Sequence, residues 1–404
     1  MTAFINGKSA ADWKLTDIVN NLEPSAIREI LKIASDPDVI SFAGGLPAPE
    51  MFPLTDMSRI MPEVLSKYGS TSLQYSLTRG ILPLREQIAS RATARGSATK
   101  VENILITSGS QQGLQLIARA FINPGDYVLT GNPSYIGALQ VFSYYDARYC
   151  TVDLDENGMN IEKVEEQINK CNPKFIYTIP DFQNPTGTSL SLERRYQLVE
   201  VAAKYNIPIV DDSPYGDLRF KGDRVPSIKS IGGDGVIALR TFSKLVVPGL
   251  RIGWINAHNS LLIPLERVKQ ATDLHSNTFG QYVLYEFVHQ GLLEPHVQKI
   301  CRDYKAKRDL MLRTMDETFS KSIKWTKPDG GLFLWVELPK GISTRELLVK
   351  ALEKKIAYVP GQPFFPNKEG DNTLRLNFSN STPEKIVMGI TRLADLFNTA
   401  ISNN

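Results

Sequence analysis

Lys244 stands among hydroxyl and glycine residues, in the run 241–244 (TFSK) followed by 246–253 (VVPGLRIG). A lysine at the end of an apolar run in such company suits imine chemistry. Desolvation and a nearby cation lower its pKa, and only the neutral amine attacks an aldehyde. Arg251, seven positions further on, offers a planar fork suited to a phosphate. A lone lysine is ordinarily a solvated surface side chain, so the weight falls on the groups that accompany it. Residues 106–112 (ITSGSQQ) form a strand and turn that open a helical pattern. N–H groups at a helix N-terminus, together with the helix dipole, make an anion site. Residues 181–187 (DFQNPTG) form a Pro/Gly turn presenting Asn184, with the peptide before Pro185 a candidate for the cis form. Residues 210–215 (VDDSPY) bring two carboxylates and a phenol together. Arg375 interrupts the apolar strand pattern of 373–379 (TLRLNFS) and needs an anion, from an internal salt bridge or from a substrate.

These groups must be held by something, and most of them follow short apolar runs. Strands are expected at 103–107, 127–130, 175–179, 207–210, 236–239 and 252–255. Helical patterns lie between them, among them 111–121 and 192–205, the latter capped by Ser191. This alternation predicts an α/β fold: a mostly parallel sheet, covered by helices, with its site at the carboxyl ends of the strands. From about residue 261 the pattern turns helical, with one long helix over 293–319. A C-terminal α+β part follows, with strands at 331–336 and 373–378 around a helix at 344–354. An N-terminal helix over 25–34 is expected to pack on that part.

In this order the motifs resemble those of fold-type I, class I/II pyridoxal phosphate aminotransferases, over most of the chain from about Ser25 to Phe378, and the resemblance implies seven strands in the main sheet. The resemblance implies that Lys244 carries pyridoxal 5'-phosphate as a Schiff base and shuttles the substrate's α-proton. Thr241 and Arg251 match the residues that flank that lysine. With Ser243 and the turn donors Ser110 and Gln111, they are implied to hold the cofactor phosphate. Tyr135, in 132–135 (NPSY), is implied to stack on the pyridine ring. The family pattern Asp-x-x-Tyr selects Asp212 as partner of the ring nitrogen and Tyr215 as partner of the phenolic oxygen, which Tyr215 shares with Asn184. Asp211 is the alternative carboxylate. Arg375 is implied to read the substrate carboxylate. Residues 25–32 (SAIREILK) and 40–53 (ISFAGGLPAPEMFP) resemble the branch of 2-aminoadipate, kynurenine and broad-specificity aromatic or branched-chain enzymes. In that branch the Gly44–Gly45 turn abuts the substrate, and Arg28 matches a position that meets acidic side chains in some members. Tyr75 matches a residue that crosses a dimer interface, which implies a homodimer.

The reading therefore expects an aminotransferase passing amino groups to 2-oxoglutarate. It expects an N-terminal arm and cover at 1–60, a large cofactor-binding domain at 61–295, and a linking helix with a small domain at 296–404. A β-lyase, a decarboxylase or an acyl-condensing enzyme could use the same lysine and aspartate. A ligand-sensing regulator on this fold carries a DNA-binding domain, for which no room is expected before Ser25. Net charge is +3 with 46 basic residues spread along 404, which argues against nucleic acid or an anionic membrane. No apolar run reaches the length of a membrane span. Cys150, Cys171 and Cys301 have no metal-ligand spacing, and His258, His275, His289 and His296 lie away from the paired acids. No metal is expected, and the composition suits a cytoplasmic protein.

Overall fold

The computed structural model of the protein describes residues 13–20, 36 and 38–403. The helix expected at 25–34, with Arg28, lies outside the described residues.

After β1 (Ile40–Ser41), the main sheet is built from β2 (Ile104–Thr107), β3 (Tyr127–Asn132), β4 (Arg148–Asp155), β5 (Gly158–Met159), β6 (Ile176–Thr178), β7 (Ile209–Asp212), β8 (Val236–Thr241) and β9 (Gly253–Asn256). Their order across the sheet is β2-β9-β8-β7-β6-β3-β4-β5. β9 is antiparallel to both of its neighbours, and β5 folds back on β4, so the other six strands share one direction. All residues of β2 and β7 are buried, without alternation. That is the pattern of strands covered on both faces. Leu129, Ile176, Ile209 and Val236 are register partners across four strands and pack with Val164 and Leu198 of the covering helices. The sequence reading named no strand at β4. Its Arg, Thr and Asp residues break the apolar run, and its side chains are only partly buried. β4 is held instead by pairing along the whole of β3.

The helix Ser110–Phe121 begins directly behind β2, and Leu192–Lys204 is capped by the Ser191 side chain, which accepts from the Arg194 amide. The long helix runs Leu293–Thr318, with Pro295 in its first turn, where the missing N–H costs nothing. Beyond it, β10 (Lys324–Trp325), β11 (Phe333–Glu337), β13 (Val359–Pro360) and β14 (Thr373–Asn377) form an antiparallel sheet in the order β10-β11-β14-β13. β1 pairs in parallel with β12 (Ile356–Ala357), and the Asn377 amide donates to the Phe42 carbonyl at 2.8 Å. The segment around residue 42 is thereby fixed to the C-terminal strands.

One buried ion pair ties two loops of the main sheet together. Arg195 is fully buried and donates to Asp181 Oδ1 at 2.7 Å and to the carbonyls of Pro180, Leu190 and Pro226. Asp181 Oδ2 accepts from Ser213 Oγ at 2.9 Å. Burial alone would raise the Asp181 pKa, but Arg195 overcomes this and holds it below the usual carboxylate value. Asp181 opens the turn that carries Asn184, and Ser213 opens the one that carries Tyr215. Arg195→Leu leaves a buried carboxylate without its partner and should cost about 3–5 kcal/mol, measured by urea denaturation. A loss below about 1 kcal/mol would show that the pair behaves as a surface bridge.

Candidate active site

Lys244 follows the carboxyl end of β8 in a half-buried position, and its Nζ donates to the Gly45 carbonyl at 2.8 Å. Burial, with the cations Arg375 and Arg251 nearby, pulls its pKa down to about 8. The neutral amine required for attack on an aldehyde is thus within reach of neutral pH. Arg375 lies in the fully buried β14. Its Nη1 donates to Asn184 Oδ1 at 2.8 Å and its Nη2 to the Ala43 carbonyl at 2.6 Å, while its Nε has no partner. The guanidinium carbon stands 4.2 Å from the Phe333 ring centre and 5.2 Å from that of Phe364. Among the described residues no carboxylate pairs with it, so none of them makes the internal salt bridge left open by the sequence. Burial lowers its pKa to about 10.

The two acids at the end of β7 point to opposite faces, as neighbours in a strand must. Asp211 is buried and pairs with Arg240 at 2.8 Å. Asp212 accepts from the Tyr177 hydroxyl at 2.9 Å through Oδ2, while its Oδ1 is buried with no partner. Burial pushes the Asp212 pKa up to about 7, against the effect of the Tyr177 hydrogen bond. Tyr177 is fully buried, and its own pKa is raised, first by burial and then by Asp212. Tyr215 is raised by burial as well, with the Asn184 amide acting the other way. Because Asn184 Oδ1 accepts from Arg375, its NH2 group is left to face a different acceptor. Both Asn132–Pro133 and Asn184–Pro185 are cis. Tyr135 caps the helix Ile136–Tyr144, and its ring fills the space that a side chain at Gly137 would need.

The anion turn forms behind β2. Gly109, at φ +76°, precedes the helix beginning at Ser110. A Cβ there would sit 2.5 Å from Arg251 Nη2, so only glycine lets the guanidinium approach the turn. Arg251 itself adopts φ +56°, and its Nη1 donates to Ser243 Oγ at 3.3 Å. Thr241 Oγ1 donates to Ser243 Oγ at 2.9 Å. The Gln111 side chain donates to the Gly137 carbonyl at 3.1 Å, which leaves its backbone N–H as its donor at the helix N-terminus. Lys269, which the sequence reading did not single out, is fully buried and braces the turn. It donates to Gln112 Oε1 at 2.9 Å, and the same oxygen accepts from the Ser108 amide at 2.8 Å. Tyr75 is 79% exposed and meets His275 edge-on at 5.7 Å. It makes no side-chain hydrogen bond to the groups around Lys244.

The structure therefore gathers Lys244, Arg251, Thr241, Ser243, Ser110, Asn184, Asp212, Tyr215, Tyr135, Arg375 and Gly45 at the carboxyl ends of the strands and the facing segment. These residues fit pyridoxal phosphate. The unpartnered Asp212 oxygen suits a protonated ring nitrogen, the Gly109–Ser110 turn with Arg251 suits a phosphate, and the Arg375 Nε suits a carboxylate. Tyr177, Phe333, Phe364 and Lys269 escaped the sequence reading. Only Tyr177 had a signal: a tyrosine inside a buried apolar run needs a hydrogen-bond partner. Among the described residues, no three His, Cys, Asp or Glu side chains are placed to hold a metal ion, and no helix is long and apolar enough to cross a membrane.

Comparison with known proteins agrees with this geometry. The family described as aminotransferase class I and II matches residues 48–393. The chain belongs to that family and is a pyridoxal phosphate-dependent aminotransferase of fold type I, acting on amino acids and oxo acids. It is 46% identical to an aromatic-amino-acid aminotransferase of Thermococcus litoralis, over 93% of this chain and 91% of that one. It is 40% identical to a 2-aminoadipate transaminase of Thermus thermophilus, over 92% and 93%. A kynurenine aminotransferase of Pyrococcus horikoshii, solved in complex with PMP, superposes with a TM-score of 0.92 at 41% identity, covering 95% of this chain and 97% of that one.

The opposed acids of β7 should separate in experiment. Asp211→Asn leaves the partly buried Arg240 without its carboxylate and should cost about 1–3 kcal/mol of stability, with cofactor affinity little changed. Asp212→Asn should instead weaken cofactor binding about tenfold or more, the loss of one charged hydrogen bond. Urea denaturation and cofactor titration check both, and equal effects in the two variants would contradict the division. The cofactor-free protein should also respond to pH through Asp212. Its carboxyl titrates near 7 when folded and near 4 when unfolded. The native state therefore holds an extra proton between those values, and this contribution to stability is lost as pH rises towards 7. Asp212→Asn should flatten that part of the stability–pH curve.

Proposed function

We propose that the enzyme moves the amino group of an L-amino acid of 2-aminoadipate, aromatic or branched-chain type to 2-oxoglutarate, in two half-reactions with ping-pong kinetics. The observation that carries this reading is the pairing of Lys244, with its lowered pKa, and Arg375, which lacks a carboxylate. Both donate to one short segment, at Gly45 and Ala43. When bound, pyridoxal phosphate supplies an electrophilic aldehyde carbon and a ring that withdraws electrons from the substrate's α-carbon. Arg375 holds the substrate carboxylate, with Asn184 fixing the orientation of the guanidinium. Lys244 Nζ takes the α-proton from the substrate and later returns a proton, a role served best by a pKa near the working pH. Asp212 keeps the ring nitrogen protonated, while Tyr177 holds the other carboxylate oxygen. Tyr215 and the Asn184 NH2 group donate to the phenolic oxygen, and Tyr135 lies against the ring. Ser110, the Gln111 amide, Thr241, Ser243 and Arg251 hold the phosphate.

The range of donors is supported by two kinds of observation. Phe333 and Phe364 beside Arg375 favour an apolar or aromatic side chain, and the relatives named above are called aromatic and 2-aminoadipate enzymes. The reading also includes a role for Arg28, outside the described residues, toward acidic side chains, and a division into an N-terminal arm and cover at 1–60, a large cofactor-binding domain at 61–295 and a linking helix with a small domain at 296–404. Leu73, Tyr75 and Leu77 form an exposed apolar run, which supports a homodimer in which Tyr75 reaches the partner's cofactor phosphate. The three free cysteines suit a cytoplasmic enzyme.

Lys244→Ala should reduce turnover by about 10²-fold or more, the usual worth of a positioned base. It should also abolish covalent retention of the cofactor after borohydride reduction, as read by mass spectrometry. Normal turnover in that variant would sink the assignment. Half-reaction spectra against a panel of donors test the substrate range. Preference for 2-aminoadipate over phenylalanine supports the acidic role of Arg28, and indifference to the two supports an adaptable cover.

A further inference from the structure

A second cavity, of about 120 Å³, lies on the opposite face of the main sheet. Leu239 of β8 faces Gly113 of the helix Ser110–Phe121. Its strand neighbours Ala238 and Arg240 therefore point the other way, and both line this cavity. Its charge is one-sided. Arg91, Arg95, Arg219, Arg224, Lys229 and Arg240 line it, against only Asp181 and Asp217.

Pairing accounts for most of these cations, but not all. Arg240 is held by Asp211 at 2.8 Å, and Lys229 donates to the carbonyls of Gly233 and Val236. Arg91 and Arg95 share Asp217 and Glu294. Arg224 makes one bond, to the already shared Asp217, at 2.7 Å, and its side chain is half exposed. Among the described residues the Arg219 guanidinium makes no hydrogen bond. The carboxylate it pairs with, Asp181, stands 3.8 Å away and is already held by Arg195 and Ser213. Its Nη2 is buried without a partner, and its guanidinium carbon stacks 4.7 Å from the Phe182 ring centre. A buried donor left unpaired carries its full desolvation penalty. A guanidinium fork held flat on a ring, beside a second that is mostly unspent, matches a doubly charged oxyanion.

We propose that this cavity is a binding site for a small dianionic oxyanion, of the size of inorganic phosphate or a three-carbon dicarboxylate, held between Arg219 and Arg224. The site is separate from the one that holds the cofactor. Thr241, Phe242 and Leu245 form part of its wall, so its occupant rests against the back of the segment that carries Lys244. Binding of this kind stabilises the folded enzyme by mass action.

The test uses the holoenzyme, whose cofactor phosphate site is already filled. Isothermal titration calorimetry at constant ionic strength on the Arg375→Met holoenzyme, with inorganic phosphate in one arm and malonate in the other, should show one saturable site per chain. The arm with the tighter binding identifies the oxyanion. Arg219→Gln and Arg224→Gln should each weaken it about tenfold or more, the loss of one charge-assisted hydrogen bond. Both substitutions are made in that Arg375→Met background, because malonate would otherwise also occupy the active-site arginine. Arg224 is half exposed, so its replacement leaves the fold intact and keeps the test decisive should Arg219→Gln fold poorly. No saturable binding in either arm, or undiminished binding in Arg224→Gln, would overturn the proposal.

Discussion

A buried guanidinium without a carboxylate is the most demanding group in the active site, and much of the local structure exists to hold it. Arg375 has given up hydration in a strand whose residues are all buried. It recovers part of that cost from two aromatic faces, the Ala43 carbonyl and the Asn184 side chain. None of these neutralises its charge. The site therefore keeps a standing demand for an anion. The same uncompensated charge helps to lower the pKa of Lys244. One unpaired cation thus serves both recognition and the readiness of the amine.

Two further constraints follow from the sheet. Strand alternation sends Asp211 and Asp212 to opposite faces, one into an ion pair and the other into the pocket with a free oxygen. The carboxyl ends of β7 and β8 lie side by side, which brings the turns bearing Tyr215 and Lys244 into one pocket. The loops that leave these ends are then locked by buried polar bonds. Arg195 and Asp181 fasten the Asn184 loop to the Tyr215 turn, and Lys269 with Gln112 fastens the anion turn. The reverse face of the sheet carries the arginine-lined cavity, where the same accounting of charge leaves Arg219 short of an acceptor.

Much of this was legible in the sequence. The short apolar runs that became β2, β3, β6, β7, β8 and β9 are buried on both faces and read as continuous hydrophobic stretches. The turns at Gly109–Ser110, Asn184–Pro185 and Ser243–Lys244 carry residues whose backbone or side-chain needs are local, so their strings suffice to place them. β4 was not legible, because it lies next to the sheet's edge, is held by pairing with β3 and carries polar side chains that hide it. The choice of Asp212 over Asp211 came from a resemblance in spacing, and the structure supplies its physical reason in Arg240.

The sequence by itself determined the chemistry on offer: an amine, a phosphate turn, a carboxylate, a phenol and two arginines, in an order that resembles a single family. Covalent order and local turn preference are enough for that. Only the tertiary structure decided which of these groups lack partners. Whether Arg375 has a counter-ion, whether Asp212 has a free oxygen, and whether Lys244 is desolvated beside other cations depend on residues 35 to 332 positions away, brought together by the two sheets. Burial and pairing are properties of the packed chain, and they turn a list of reactive side chains into a site.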